Sequence, residues 1–493
     1  MLAVVVGAPP AVLDPVAAHR SPARPAAAPP LAPGSQPNVV VVMTDDMTAS
    51  DLRWMPRTRR LLGRAGTTFT DAVSPNPVCC PARAAFITGL ESHNSGVWSN
   101  QPPTGGYQAL NRRRLLPLWL KRAGYRTAFL GKHLNGYRPD QPRPERGWTF
   151  HDPLLRGIYS YRNFTTWNDG EPRSVEDGYV TRHLTESTGD VLRRFERRDA
   201  RPFFLWVAHL APHHAHRNDC RRGCWEPPRP ARQDRDDFAD TPAPSRSSEA
   251  FNREGGADKP FFLRDRDPRS EDKVQRLFAR RIESLQSVDR SVAATIEQLR
   301  RRGELGRTLV VFTSDNGYLL GEHRYLGKRL PYEASVRVPL LVRGPGVRRG
   351  ARVDHLVTTP DLTRTITRLA GARPAYPLDG VNLRRVLTRR GAPAPRPATI
   401  LQTGGVGSEV PAWLYRGYRD ERYTYARYPD DGSGSPYEEL YDRDVDPSQI
   451  DNVADDPSYA VVLRQVRNRA QALHDCSGSS CHPDWEPLPA PSL

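Results

Sequence analysis

The sequence predicts an α/β protein: a large, mostly parallel β-sheet flanked by helices, followed by a smaller C-terminal α+β domain. Three observations predict it. Four short apolar runs rich in β-branched and aromatic residues recur along the first two thirds of the chain, the pattern of strands buried on both faces. Helical stretches lie between them, the alternation that builds parallel sheets. After a Pro/Arg/Ala-rich stretch at 391–398 the style changes to closely spaced strands and one last helix.

Asn38-Val39-Val40-Val41-Val42-Met43 reads as the first core strand and ends in Asp45-Asp46. Two carboxylates at the C-terminal end of a central strand are hard ligands for Ca²⁺ or Mg²⁺; a turn with an N-cap Asp is the plainer reading. Residues 57–66 read as a helix and 67–73 as a strand. Val78-Cys79-Cys80-Pro81-Ala82-Arg83 reads as an exposed turn entering a short helix, with Pro81 in its first turn and Gly89 as its stop. Cys79 is expected just before the helix N-terminus, where backbone N–H groups favour an anion, with Arg83 one turn on. That position suits a low-pKa thiolate nucleophile; the plain alternative is a buried Cys-Cys pair.

Residues 115–123 predict a helix and 125–130 the second core strand, which delivers Gly131-Lys132-His133-Leu134-Asn135. Lys132 is either an anion-binding point charge or a solvated loop lysine. A helix over 179–197 precedes the third strand, 203–208, which runs into a stretch holding His209, His213, His214 and His216. These histidines suit Zn²⁺ or an oxyanion donor, or lie at the surface. Residues 217–259 form a long Arg/Pro/Asp-rich loop, a lid or a disordered insertion. Residues 272–302 predict a long helix with Val274, Leu277, Ile282, Leu285, Val288 and Ile296 near one face. The fourth strand, 308–313, delivers Ser314-Asp315-Asn316-Gly317, ahead of Gly321-Glu322-His323 and Gly327-Lys328. Strand 340–342 and helix 361–370 finish the large domain. Strands at 399–402, 412–419 and 421–427 and a helix at 460–474 make up the smaller one. The expected organisation is a signal-like or disordered segment over 1–37, a catalytic domain over 38–390 and a C-terminal subdomain over 399–493.

The formal charge of +16 over 493 residues admits an anionic partner. The arginines are scattered, which argues against a nucleic-acid partner. No run of about 18 apolar residues exists, so no transmembrane helix is expected. Of six cysteines, Cys220 with Cys224 and Cys476 with Cys481 suit two local disulfides and an oxidising, secreted or extracytoplasmic location; a Zn site from these four is the alternative. Cys79 and Cys80 are left for chemistry. The Ala/Pro-rich segment 1–37 lacks a basic n-region and reads as a clipped signal peptide with a linker, or a plain disordered tail.

In a parallel sheet the four strand ends share one edge. That predicts a hard metal site of three carboxylates and an amide, ringed by Arg83, Lys132, His213 and Lys328, suited to a tetrahedral dianion or monoester. The ordered set of Cys79-to-Arg83 with Thr88-Gly89, Asp45-Asp46, Gly131-Lys132, Ala211-Pro212-His213, Ser314-to-Gly317, and Gly321-Glu322-His323 with Gly327-Lys328 resembles the type I sulfatases of the alkaline-phosphatase-like superfamily. Cys79-Cys80-Pro81, Gly131-Lys132-x-Leu134-Asn135 and the late cysteine pair resemble the N-acetylglucosamine-6-sulfatase branch. The resemblance implies that a formylglycine-generating enzyme oxidises Cys79 to formylglycine, whose hydrate is the nucleophile. It implies one Ca²⁺, or Mg²⁺, on Asp45, Asp46, Asp315, Asn316 and the modified Cys79. Lys132, His213 and Lys328 would hold the sulfate oxygens and assist the leaving alcohol, and Arg83 would orient the hydrate. The substrate implied is a sulfated small molecule or glycan. Two positions depart from the pattern: Leu134 stands where many relatives have a histidine, with His133 or Asn135 as candidate substitutes, and Leu90 stands where many have a basic residue. Rival readings are a phosphonate or phosphodiester hydrolase of the same superfamily, an inactive relative that binds anionic glycans, and a thiolate hydrolase.

Overall fold

The computed structural model describes residues 36–137, 145–168, 170–197, 201–216, 225–256, 258–404, 413–429 and 435–492. Ten strands form the main sheet: β1 (Asn38–Thr44), β2 (Thr67–Phe69), β3 (Arg126–Gly131), β4 (Phe150–Arg156), β5 (Phe164–Asn168), β6 (Glu171–Val175), β7 (Phe203–Ala208), β8 (Thr308–Ser314), β9 (Leu340–Arg343) and β10 (Ala351–Val353). Their order is β10-β2-β9-β8-β1-β7-β3-β4-β5-β6. The five central strands, β8 to β4, are all parallel. The sheet turns antiparallel at β9 on one side and at β5 on the other. The β4–β6 meander is absent from the sequence reading, because its strands carry Thr, Glu, Arg and Pro instead of an unbroken apolar run.

The strand period of two decides how the helices attach. Val39, Val41 and Met43 face one way, into a core completed by α1 (Cys79–Thr88), α2 (Leu116–Arg122) and α5 (Thr359–Leu369). Val40 and Val42 face the other, against α3 (Val180–Glu196) and α4 (Glu271–Arg301). With neither face of β1 left to water, its five consecutive apolar residues need no polar alternation.

A second sheet, β11 (Thr399–Gly404), β12 (Trp413–Arg419), β13 (Tyr423–Tyr428) and β14 (Tyr437–Asp442), is antiparallel in that order. Helix α6 (Ala460–His474) packs on it through Val462, Leu463 and Val466. Cys476 and Cys481 are disulfide-bonded at its end. Cys220, Cys224 and the segment 1–35 lie outside the described residues. The described part of the 217–259 loop is pinned down: Asp234 takes both Arg290 guanidinium nitrogens, and buried Lys259 donates to Tyr441 Oη (2.6 Å) and Ile450 O (2.6 Å).

Candidate active site

Four strand ends and the first turn of α1 meet at one edge of the sheet. β1 and β8 pair in register, Thr44 opposite Ser314, so the Asp45-Asp46 and Asp315-Asn316 pairs lie side by side. Asp46 N–H donates to Asp315 Oδ1 (3.1 Å) and Asn316 Nδ2 donates to Asp46 Oδ1 (2.7 Å). Asp46 has a φ of +68°, a left-handed conformation that non-glycine residues adopt at a cost and that clusters at functional sites.

Cys79 is the first residue of α1, not the residue before it; Val78 is the extended N-cap. The helix starts early because Pro81 falls at its third position, where a missing N–H has no helical partner to lose. The Cys80 N–H is taken by Asn100 Oδ1 at 2.9 Å. Cys79 is buried, with Sγ 3.4 Å from Asp45 Oδ1, 3.4 Å from Lys132 Nζ and 2.8 Å from Lys328 Nζ.

Gly131 makes Lys132 possible. Its φ is +104°, and a Cβ there would meet Ala208 O at 2.1 Å. The chain therefore turns off β3 tightly against β7 and places Lys132 Nζ on Asp45 and 5.0 Å from the Tyr159 ring centre. Lys328 Nζ pairs with Asp46. Arg83, fully buried, donates from Nε to Asp315 Oδ2 (2.8 Å) and from Nη1 to Lys132 O (2.6 Å), so it ties α1 to both strand ends. His213 donates from Nδ1 to His214 O (2.8 Å), which leaves Nε2 towards Asp46 Oδ2 at 3.7 Å. All the expected site residues thus come together.

Burial alone would raise the Asp45 carboxyl; Lys132, then His213, Arg83 and Lys328, overcome it and hold the group well below the usual range. Asp46 is held low against burial by Lys328 and His213. Asp315 goes the other way, to about 6, through burial and repulsion from Asp45. Burial and Asp45 push the Cys79 thiol up to about 11. That overturns the low-pKa thiolate: the neighbouring carboxylate and the dry surroundings outweigh the helix start and the two ammoniums.

Three carboxylates here face three permanent cations, Arg83, Lys132 and Lys328. A hard divalent cation fits this donor set. Asn316 Oδ1 is buried and finds no hydrogen-bond partner among the described residues, while its amide nitrogen is fully engaged. A buried orphan acceptor beside three carboxylates is an oxygen-ligand arrangement.

Three contributors are missing from the sequence reading. Tyr159, just past the end of β4, packs with its ring centre 4.7 Å from that of His213, the planes tilted by 31°, and donates to Asn135 Oδ1 (3.2 Å). Asn100 caps α1 from a loop. Arg281 of α4 donates to Asp46 O (2.5 Å) and pairs with Asp51; its signal was an arginine at helical spacing among Val274, Leu277, Ile282 and Leu285. Leu134 is in the core, and His133 points away into an aromatic cluster, so it does not stand in for the absent histidine. Asn135 touches the site through Tyr159.

The sequence matches the family profile described as Sulfatase over residues 37–372, and the one described as N-sulphoglucosamine sulphohydrolase, C-terminal, over 321–475. The human N-acetylglucosamine-6-sulfatase is 29% identical over 492 residues, covering 90% of this chain and 86% of that protein. An extracellular sulfatase Sulf-1 homolog of Caenorhabditis elegans is 30% identical over 362 residues, 71% of this chain; the chain spans about half (49%) of its length. Among solved structures, one in complex with its substrate D-glucosamine-2-N,6-O-disulfate superposes with a TM-score of 0.73 at 22% identity, over 89% of this chain and 97% of the other.

Proposed function

The chain belongs to the type I sulfatase family of the alkaline-phosphatase-like superfamily, and from that premise we propose that it hydrolyses sulfate monoesters after Cys79 is oxidised to formylglycine by a maturation enzyme. The observation that carries this reading is Cys79 at the start of α1, with the ammoniums of Lys132 and Lys328 converging on its Sγ at 3.4 and 2.8 Å. The modified residue supplies a hydrated aldehyde oxygen as nucleophile. A divalent cation, Ca²⁺ or Mg²⁺, would be held by Asp45, Asp46, Asp315 and Asn316 with the modified Cys79, and would supply positive charge that acidifies a neighbouring hydroxyl.

This chain's residues do the rest. Lys132 and Lys328 stand where an anion's oxygens would gather, in a water-poor site where fixed charge counts most. His213, its Nδ1 proton fixed on His214 O, presents Nε2 for proton exchange with the leaving oxygen. Arg83 is spent on Asp315 and the Lys132 carbonyl, so its part is to position those two groups.

A sulfated hexosamine or related glycan is the substrate class proposed. The 29% identical human relative carries that activity in its name. Trp225 is 51% exposed and stands 5.5 Å from the His213 ring and 5.3 Å from Tyr159, an apolar platform for the C–H face of a sugar. An extracytoplasmic location is part of the same proposal, supported by the Cys476–Cys481 disulfide; no described helix is long and apolar enough to cross a membrane. So is the division into a catalytic region, 38–390, and a smaller one from 399, supported by the separate apolar cluster under α6.

The test is the mass of the tryptic peptide Ala65–Arg83 from protein co-produced with a formylglycine-generating enzyme, followed by turnover of aryl sulfate and aryl phosphonate with and without Ca²⁺. An aldehyde at Cys79 and faster sulfate turnover are expected. An unmodified thiol sinks the mechanism, and faster phosphonate turnover moves the chain to the phosphonate hydrolases.

A further inference from the structure

Below the site, on the sheet face that carries α1, lies a second group of ligand-type side chains that the sulfatase chemistry does not use. His133, Glu145 and His151 bring one donor atom each to within 4.8 Å of one another. His133 Nε2 is 3.2 Å from Glu145 Oε2. His151, 2% exposed on β4, has neither ring nitrogen hydrogen-bonded among the described residues. A buried imidazole left without hydrogen-bond partners is costly, and one of its nitrogens lies within 4.8 Å of a Glu145 carboxylate oxygen.

We propose that His133, Glu145 and His151 bind a second cation, of the Zn²⁺ class, which pins the turn carrying Lys132. The ring geometry favours a shared ion. The two imidazole centres are 5.9 Å apart with planes at 89°; two imidazoles on one tetrahedral ion with bonds of about 2.05 Å have centres about 5 Å apart. Glu145 is already oriented by an outer partner: Tyr107 Oη donates to Oε1 at 2.7 Å and leaves Oε2 for the ion. Phe129 and Tyr137, each 4.9 Å from the His133 ring, and Trp148, stacked 6.0 Å from His151, wall the group in with apolar surface.

Two imidazoles and one carboxylate select a borderline transition cation, whereas the Asp/Asn set above selects a hard one. The two sites are therefore separately loadable. The functional link is covalent: His133 follows Lys132, and the Tyr107 N–H, on the same cluster, donates to Asn135 O at 2.8 Å.

The experiment strips full-length protein with a chelator, loads it with excess Ca²⁺ plus Zn²⁺ or Co²⁺, removes unbound metal by gel filtration and measures both elements. One zinc per chain is expected alongside calcium, and the Co²⁺ form should show the intense visible bands of a four-coordinate nitrogen/oxygen site. His151→Phe and Glu145→Gln should each lose the zinc and the cobalt bands while keeping calcium. Wild-type protein that retains no zinc under excess calcium overturns the proposal, whatever the variants do. So does a folded His151→Phe protein with unchanged zinc content. Failure of Cys79 oxidation would leave the zinc result untouched, so the two readings fail separately.

Discussion

Lys328 touches Asp46 and lies 2.8 Å from Cys79 Sγ, from a loop and not from the sheet. Its removal should therefore strike the chemistry. Lys328→Ala is expected to lower kcat/KM on an aryl sulfate by about 10²–10³, the usual effect of deleting one electrostatic donor. Divalent-cation affinity, read by titration, should rise, because Asp46 loses its competing ammonium. Glu91 lies outside the site, and burial pushes its carboxyl up to about 8 against the pull of Arg396. An acid whose folded pKa exceeds its unfolded value, near 4.5, stabilises the fold fully below that unfolded value. The contribution fades as pH rises through about 8. The melting temperature should fall between pH 5 and 9, and Glu91→Gln should flatten that fall; an equally steep decline in the variant would remove Glu91 as its cause.

Helix α4 shows how an element serves two purposes. Its apolar face closes the core with Ile282, Leu285 and Val288, while Arg281, on the same face and fully buried, grips Asp46 O and Asp51. Arg281→Met keeps the length but leaves Asp51 unpaired, and removal of one partner of a buried pair costs about 3–5 kcal/mol. A lower melting temperature together with weaker Ca²⁺ binding is expected. Arg300→Ala, at the exposed end of the same helix and paired with Glu297, should change stability by well under about 1 kcal/mol. Comparable losses in the two variants would mean that Arg281 acts only as generic helix surface.

Across the whole molecule, the small sheet is locked to the large one by buried charge. Arg419 of β12 reaches Asp71 Oδ1 at 2.6 Å and Glu333 Oε1 at 2.8 Å. Both carboxylates belong to the large sheet's side of the molecule, and Glu333 is held well below its usual range, burial opposing and Arg419 prevailing. Arg419→Ala takes the ion-pair partner from Asp71 and leaves Glu333 with Arg337 and Arg443 alone, at a cost of about 3–5 kcal/mol, and calorimetry should show two separated transitions in place of one. Arg419→Lys should not restore the single transition, because an ammonium lacks the fork that serves two carboxylates. A single unshifted transition in the alanine variant would show that the remaining contacts, Lys259 with Tyr441 and Ile450 among them, join the two parts without Arg419.

Local pattern was enough for the strands and for the chemistry at their ends. Short apolar runs rich in β-branched and aromatic residues read as strands covered on both faces, and the polar residues that follow such a run are delivered to the sheet's carboxyl edge; hence Asp45, Asp46, Lys132, His213, Asp315 and Asn316 were legible in order. Helix α6 was likewise legible to the residue, because its period is unbroken from Ala460 to His474. Tertiary structure decided what depends on which distant surfaces meet. The polar β4–β6 meander owes its strands to an edge, not to its own pattern. Tyr159, Asn100 and Arg281 enter the site from loops and a helix far away in sequence. The Cys79 thiol is raised, not lowered, because the register of β1 against β8 and the packing of α1 bury it beside Asp45. Periodicity is a property of neighbours along the chain; a site's field is a property of neighbours in space, and those are set only when the sheet order and register are.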